Sequence, residues 1–460
     1  MADTPDAAPT VEDKVRLGAN YWKLWSASVV SNLGDGVAMI AYPWLASAVT
    51  RNPVLIALIA IAQRIPWLIF TLPAGVITDR VDRRKIMTST AVFRTFLTLG
   101  VAVVVFLNQD SLPSPGDIAS GAFVESNVAV YVTLVISALL FGFAEVLYDN
   151  AAQTILPAIV EPEGLERANG RLWGAEMVMN QFVGPPLGSI LIAFAFAIPF
   201  FFDAGTFAIS AALIFALSGV FRVESAAESA GEKRASFWEE IKEGVRWLWA
   251  HPLLRPMAII LGLLNGLFAV MSATMVLFAQ EALLVTTTTF AFLMMAGAIG
   301  GVLGSVLAPT ISKKLGSGTS LYVTLIVQAL TALVVGFATH WAVAAAMFVL
   351  SAFTGVLWNV ITVSLRQTII PDHLLGRVNS VYRFFAWGMM PIGLAIGGVI
   401  VSVAETAGVD RVTALRLPYF VSAAALFVVF LWAAPQLTTD KIEAARVEGI
   451  KTEEVEPSSE

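Results

Sequence analysis

Ionisable side chains within long apolar segments are the residues of this chain best suited to chemistry. Asp35 and Arg64 each lie midway through such a segment, and Glu145 and Asp149 lie one helical turn apart in another. Charged groups are costly in an apolar medium, where they mark ion, proton or substrate pathways. Two carboxylates on one helix face can share a proton, and Asp35 either pairs with Arg64 or carries a proton itself. The pattern predicts a proton or cation site.

Composition shows which elements must position these groups. The chain is 57% hydrophobic and only 13% charged, with a mean hydropathy of +0.77, whereas a soluble protein carries about 25% charged residues. Twelve apolar runs are each long enough to cross a bilayer. Because lipid offers no hydrogen-bond partners to the backbone, such runs must be helices. The predicted fold is an all-α membrane protein with twelve transmembrane helices.

The runs fall into two sets of six, separated by the longest polar interruption. "QTILP" at residues 153–157 recurs as "QTIIP" at 367–371, and "RANG" at 167–170 recurs as "RVNS" at 377–380. Such an internal repeat predicts two pseudo-symmetric six-helix halves with a substrate site between them. The predicted regions are an N-terminal tail at 1–21, one half at 22–221, a linker with an amphipathic helix at 222–256, the other half at 257–435, and a C-terminal tail at 436–460.

Lysine and arginine positions predict the orientation. Most of them lie in loops on the side of the termini, which predicts a multi-pass protein of the cell (inner) membrane with both termini cytoplasmic. The chain has no cysteine and three histidines, all at segment edges or in loops. The motifs HExxH, GxSxG and GxxxxGK[ST] are absent. We therefore expect no enzyme, no nucleotide-driven pump, no cofactor, no metal site and no nucleic-acid partner.

The loop "GVITDRVDRRKIM" after the second run resembles the hallmark of the major facilitator superfamily, Gly-x-x-x-Asp-Arg-x-Gly-Arg-Arg/Lys. The positions in register are Gly75, Asp79, Arg80, Arg83 and Arg84, with Asp82 where the family usually has glycine. The resemblance implies a gating loop, in which Asp79 faces the N-terminus of another helix and the arginines bind carboxylates or carbonyls. The structural alternative is that these cations only set topology.

Further motifs resemble the efflux branch of that superfamily, which includes macrolide, multidrug and enterobactin exporters. "GPPLGS" resembles the Gly-Pro-x-x-Gly-Gly element of proton-driven exporters, and its Gly184, Pro185 and Gly188 predict close helix packing. "NLGDG" at residues 32–36 and the amphipathic segment "SFWEEIKEGVRWLWA" resemble the same branch. These motifs favour export.

The resemblance implies that spans one, four, seven and ten line a central cavity. Glu145 is then the first choice for proton coupling or cation contact and Asp35 the second, with Asn359 opposite Glu145 in the repeat. The full candidate set is Glu145, Asp35, Asp149, Glu176, Arg64, Asn359 and Arg383. The predicted substrate wall is Asn265, Phe268, Met271, Trp358 and Trp387.

For several polar residues a structural role is the alternative. We expect Asp149 to pair with a loop arginine, Asp203 to cap a helix, and Arg94 and Arg366 to clamp helices.

The leading interpretation is a monomeric secondary transporter that exports amphiphilic small molecules, such as drugs, in exchange for protons by alternating access. Its other partners are membrane lipids. One alternative is an exporter or flippase for a specific lipid or siderophore, in which Arg94, Arg366 and Arg383 would bind an anionic cargo. The alternative of another class is a membrane receptor or scaffold that transports nothing.

Overall fold

A computed structural model of the chain describes residues 17–114, 117–118, 127–161, 164–219, 221 and 237–455, and all regular structure in these ranges is helical. The helices of the N-terminal part are α1 (Ala19–Val49), α2 (Pro53–Ile69), α3 (Thr71–Arg80), α4 (Arg83–Leu107), α5 (Val128–Ile155), α6 (Leu165–Glu176), α7 (Gly184–Phe194) and α8 (Ala197–Phe215). Those of the C-terminal part are α9 (Phe237–Ala250), α10 (Leu254–Ser272), α11 (Met275–Leu277), α12 (Thr287–Leu315), α13 (Ser317–Phe337), α14 (Trp341–Ile369), α15 (Asp372–Thr406), α16 (Arg411–Ala433) and α17 (Thr439–Val455).

The all-α membrane fold is confirmed. Within the described residues, ten helical stretches are long and apolar enough to span a membrane. The shorter apolar helix α2 and the 31-residue α1 lie at the positions of the other two predicted spans.

Two predicted spans have different limits in the structure. The run Val54–Ile77 is broken at Phe70, because Pro73 has no N–H and cannot continue the hydrogen bonding of α2. The run Met257–Glu281 stops at Ser272, and a short helix and a π-helical turn follow it. Glu281 therefore lies at the end of the bundle where α1 ends and α2 begins, which we call the distal end.

Helix packing repeats between the two halves. In the first half, α4 packs on α8 and α5, α1 packs on α8 and α7, and α2 packs on α5. In the second half, α13 packs on α16 and α14, α10 packs on α16 and α15, and α12 packs on α14. Each pair in the second set is the first-set pair shifted by six spans. Between the halves, α2 packs on α15 and α7 packs on α12, as expected for two related bundles joined along two seams.

Glycines of the "GPPLGS" motif bring α1 and α7 into backbone contact. A Cβ on Gly184 would lie 2.5 Å from the Cα of Gly36, and one on Gly188 would lie 2.7 Å from the carbonyl oxygen of Val37. Directly before the motif, residues Met177–Val183 form a π-helical segment. Because Pro185 and the proline after it lack N–H donors, they favour this widened turn. The motif therefore fixes the distance between α1 and α7.

Replacing Gly188 by alanine should lower the stability of the protein. The new methyl group would meet backbone atoms of α1, which cannot move aside as a side chain would, and we expect a loss of about 1–3 kcal/mol. Gly205→Ala is the matched control, because a Cβ at Gly205 in α8 meets no atom within 4 Å. That exchange should be neutral or stabilising by about 0.5–1 kcal/mol. Thermal unfolding in detergent measures both, and equal midpoints for the two variants would contradict the packing role.

Candidate functional site

A cavity of about 1300 Å³ lies between the two halves, and residues of both line it. All twelve side chains predicted for coupling and for the substrate wall are among its lining. From the first half come Asp35, Arg64, Glu145, Asp149 and Glu176, and from the second half Asn265, Phe268, Met271, Trp358, Asn359, Arg383 and Trp387. The structure therefore brings the predicted residues to one place, and their roles stay predictions.

The carboxylates of the cavity belong to the first half. Asp35 is on α1, Glu145 and Asp149 are on α5, and Glu176 ends α6. All four line the same cavity, and Glu145 and Asp149 lie one turn apart on α5. Sharing a low-dielectric site makes simultaneous ionisation of all four costly. The arrangement suits a group that takes up a proton or a cation.

Neither the pair of Asp35 with Arg64, which was one of two alternatives, nor the expected pairing of Asp149 with a loop arginine is formed among the described residues in this conformation. No ion pair joins Asp35 to Arg64 among the described residues; instead, the Arg64 guanidinium carbon lies 5.9 Å from the ring centroid of Trp387, which stacks on Trp67 at 6.0 Å. No ion pair joins Asp149 to a described loop arginine either. Since α5 runs past the cavity up to its last turns, Asp149 faces the cavity.

Arg94 and Arg366 contact neighbouring helices, as expected. Arg94, on α4, is 3% exposed and is enclosed by the rings of Phe141 and Tyr148 on α5 and Phe207 on α8, at 4.6, 5.3 and 5.2 Å. Arg366 lies 4.5 Å from the ring of Tyr382, a contact between α14 and α15.

Asp203 differs from expectation. It caps no helix, because α8 begins at Ala197 and Asp203 is buried nearly two turns further on.

The second half gives the cavity a set of hydrogen-bonded amide and hydroxyl groups, of which only Asn265 was predicted from the sequence. Gln328 on α13 donates to the carbonyl of Ser351 at 2.9 Å and accepts from its hydroxyl at 2.7 Å, and it also donates to Thr354 at 3.2 Å. Asn265 donates to the carbonyl of Ala386 at 2.9 Å. For Gln328, Ser351 and Thr354, the only signal in the sequence was a glutamine within an apolar run. Charge is unequally divided in the lining: the four acids lie on the first half together with Arg64 and Arg94, whereas the second half contributes amides, hydroxyls, aromatic rings and Arg383.

The loop motif holds the first half together in this conformation. Asp82, at the position where the family has glycine, caps α4 by accepting from the N–H of Lys85 at 3.1 Å and also accepts from the N–H of Phe221 at 2.8 Å. Arg83 and Arg84 donate to the carbonyls of Thr154 at 2.7 Å and Leu217 at 2.6 Å. The carbonyl of Thr154 belongs to the last turn of α5, and that of Leu217 lies just after the end of α8. Arg80 is exposed.

Other parts of the motif are less informative. A side chain at Gly75 would meet nothing within 4 Å. The Asp79 side chain lies outside the described residues, so its predicted contact with a helix N-terminus stays a prediction.

A network of polar contacts joins the halves at the distal end. The guanidinium of Arg51, between α1 and α2, donates to Gln280 at 2.5 Å and lies 3.4 Å from Glu281. Gln280 donates to the hydroxyl of Ser47 at 2.8 Å, and Arg411 donates to the carbonyl of Arg51 at 2.8 Å. We call Ser47, Arg51, Gln280, Glu281 and Arg411 the distal network. The sequence analysis used its arginines only to assign orientation.

Within the second half, Glu281 also accepts from Arg411 at 2.8 Å, and Arg411 pairs with Glu405 as well. Because four hydrogen bonds and ion pairs cross from one half to the other here, the distal network closes this end of the cavity in the present conformation.

Comparison with known proteins shows which family the chain belongs to. The family model described as Major Facilitator Superfamily matches residues 24–394. The chain belongs to this superfamily. Multidrug efflux pump Tap of Mycolicibacterium fortuitum is 28% identical over 403 residues, which cover 85% of this chain and 91% of that protein. Tap of Mycobacterium tuberculosis is 26% identical over 389 residues, covering 82% and 86%.

Solved structures agree on the fold of this superfamily member. A bacterial homologue of the iron transporter ferroportin, in an inward-facing state, matches with a TM-score of 0.65 at 18% identity, covering 90% of this chain and 98% of that one. The nucleoside transporter NupG matches with a TM-score of 0.63 at 11% identity, covering 90% and 98%. With its family and its spans, the chain is a multi-pass transporter of the cell membrane and not an enzyme.

Proposed function

We propose that this transporter exports amphiphilic cations, including drugs, in exchange for protons. The observation that carries the proposal is the placement of all four cavity carboxyl groups on the first half, opposite a largely aromatic and amide-rich wall on the second half in which Arg383 is the one charged side chain among the described lining residues. A cation with an apolar body matches both: its charge lies against Asp35 and Glu145, and its rings lie against Trp358 and Trp387. The relatives named multidrug efflux pumps support the same substrate class.

The exchange follows from competition for the acidic wall. A proton on Glu145 or Asp35 removes the charge that attracts the cation, so proton and substrate exclude one another at the site. We propose that the halves at 22–221 and 257–435 rock about the cavity, with the termini cytoplasmic and the distal end facing outside. With the distal network closed, the cavity is then available to cytoplasmic substrate, and opening of the network lets protons enter from outside.

An efflux comparison tests the proposal. Cells that express the gene and cells that lack it are loaded with a fluorescent lipophilic cation such as ethidium, and retention of the dye is followed after re-energising. We expect faster loss from the expressing cells and no difference after a protonophore is added. Equal retention in energised cells would reject export, and a difference that survives the protonophore would reject proton coupling.

A further inference from the structure

Asp203, on α8, is a buried carboxyl group that the proposed mechanism has not used. Its side chain is 1% exposed, and it is not among the residues that line the cavity. One carboxyl oxygen has no hydrogen-bond partner among the described residues, and the other is 3.4 Å from the hydroxyl of Thr206. An ionised carboxylate without partners is very costly in such surroundings. The group therefore needs either a proton or a cation nearby.

Helix α1 lies directly between Asp203 and the cavity. A Cβ on Gly34 would lie only 2.3 Å from a carboxyl oxygen of Asp203 and 2.1 Å from the hydroxyl of Thr206. The residue after Gly34 is Asp35, whose side chain lines the cavity. The close approach at Gly34 thus places the buried carboxyl group of Asp203 on the far side of α1 from the cavity, which Asp35 lines.

Arg94, on α4, lies near the surroundings of both carboxyl groups. It lines the cavity, as Asp35 does, and its guanidinium carbon is 5.2 Å from the ring of Phe207, which follows Asp203 by one turn on α8. It forms no ion pair with Asp35 or Asp203 in this conformation, and its Nε has no hydrogen-bond partner among the described residues. Aromatic faces hold a guanidinium less firmly than a carboxylate does. Arg94 therefore has a donor available for a nearby carboxylate.

The other ionisable groups near Asp203 are few. Helix α1 contributes Asp35 and Tyr42, α4 contributes Arg94, and α7 contributes none. Helix α5 turns Glu145, Tyr148 and Asp149 toward the cavity.

We propose that Asp203 is a proton-holding positioning residue that decides whether Arg94 neutralises Asp35. When Asp203 has lost its proton, its carboxylate holds Arg94, and Asp35 is free to bind a cation from the cavity. When Asp203 gains a proton, Arg94 is released to pair with Asp35, and the cation is expelled. This inference rests on the proposed exchange of cations for protons, and it explains how a proton outside the cavity lining competes with a substrate inside it.

Binding of tetraphenylphosphonium to the purified full chain tests this inference. In the unaltered protein, affinity should fall about tenfold from mildly alkaline to mildly acidic buffer, since loss of an interaction of about 1.4 kcal/mol corresponds to that factor. Asp203→Asn is permanently neutral, so in mildly alkaline buffer it should bind about tenfold more weakly than the unaltered protein. Asp203→Glu keeps a titratable group and should restore the pH dependence, which a purely structural role would not require.

Arg94→Gln gives an independent test if Asp203→Asn does not fold. Without the guanidinium, a change of charge on Asp203 is not passed on to Asp35. The part of the pH dependence that Asp203 causes, about tenfold in affinity, should therefore be lost. Retention of the full pH dependence in either folded variant would overturn the inference while leaving the proposed function in place. Absence of pH-dependent binding in the unaltered protein would overturn both.

Discussion

Exchange of Glu145 for glutamine should reduce proton-driven transport of a lipophilic cation by about tenfold or more. The variant keeps the shape and hydrogen bonding of the side chain but removes the charge that faces the cavity from α5. Loss of a charge contact of about 1.4 kcal/mol already corresponds to a factor of ten, and an amide cannot take up the proton. Initial rates of ΔpH-driven tetraphenylphosphonium uptake into inverted membrane vesicles measure the effect.

Two further variants make the Glu145 result specific. Glu161→Gln makes the same chemical change at an exposed position after α5 that does not line the cavity, and its rate should equal that of the unaltered protein. Arg383→Gln removes a cation from the opposite half, and transport of a cationic substrate should survive it. If Glu145→Gln left tetraphenylphosphonium uptake unchanged while Arg383→Gln abolished it, the cation would not be held at Glu145, which would contradict the proposed site.

Replacing Glu281 by glutamine should open the distal end. Glu281 contacts both Arg51 and Arg411, and these contacts are only 20–30% exposed. Charge-assisted bonds contribute about 1.5–3 kcal/mol each when buried, and partial exposure reduces the loss to about 1.4 kcal/mol, or a tenfold shift between conformations. Because the chain has no cysteine, one cysteine placed at Met271 in the cavity reports this shift. Labelling of cells by a membrane-impermeant maleimide should become about tenfold faster.

Glu405→Gln is the control for the distal network. Glu405 pairs with Arg411, but both belong to the second half, so the contacts between the halves persist. Labelling of the cysteine at Met271 should stay close to that of the background protein. Faster labelling in both variants would mean that any loss of charge loosens this end, and unchanged labelling in Glu281→Gln would show that the distal network does not hold it closed.

The sequence predicted the cavity well because costly residues stand out against an apolar background. Asp35 and Glu145 lie in apolar runs, where a charged side chain is costly unless it faces a cavity or a partner. The internal repeat placed Asn359 opposite Glu145, and all three side chains line one cavity. The pairing of helices within each half also follows from the repeat, since the main helix contacts of one half recur in the other.

Contacts between side chains that are far apart in the sequence were not predicted. Nothing in the sequence links Arg51 to Glu281 across 230 residues, and Gly34 reveals the approach of Asp203 only when α1 and α8 are packed. Periodicity shows which face of a helix is polar, but not which neighbour that face meets. For the same reason Asp35 and Arg64, which are both midway through their spans, looked like partners although Arg64 lies near Trp387 instead.

Proton-driven accumulation in reconstituted vesicles tests the central claim most directly. Purified protein is placed in liposomes, an acidic interior is imposed against a neutral medium, and uptake of tetraphenylphosphonium is followed with a cation-selective electrode. We expect the proteoliposomes to take up more tetraphenylphosphonium than protein-free liposomes do. This uptake should collapse when nigericin and potassium dissipate the pH gradient. Uptake that is the same with and without the pH gradient would contradict it.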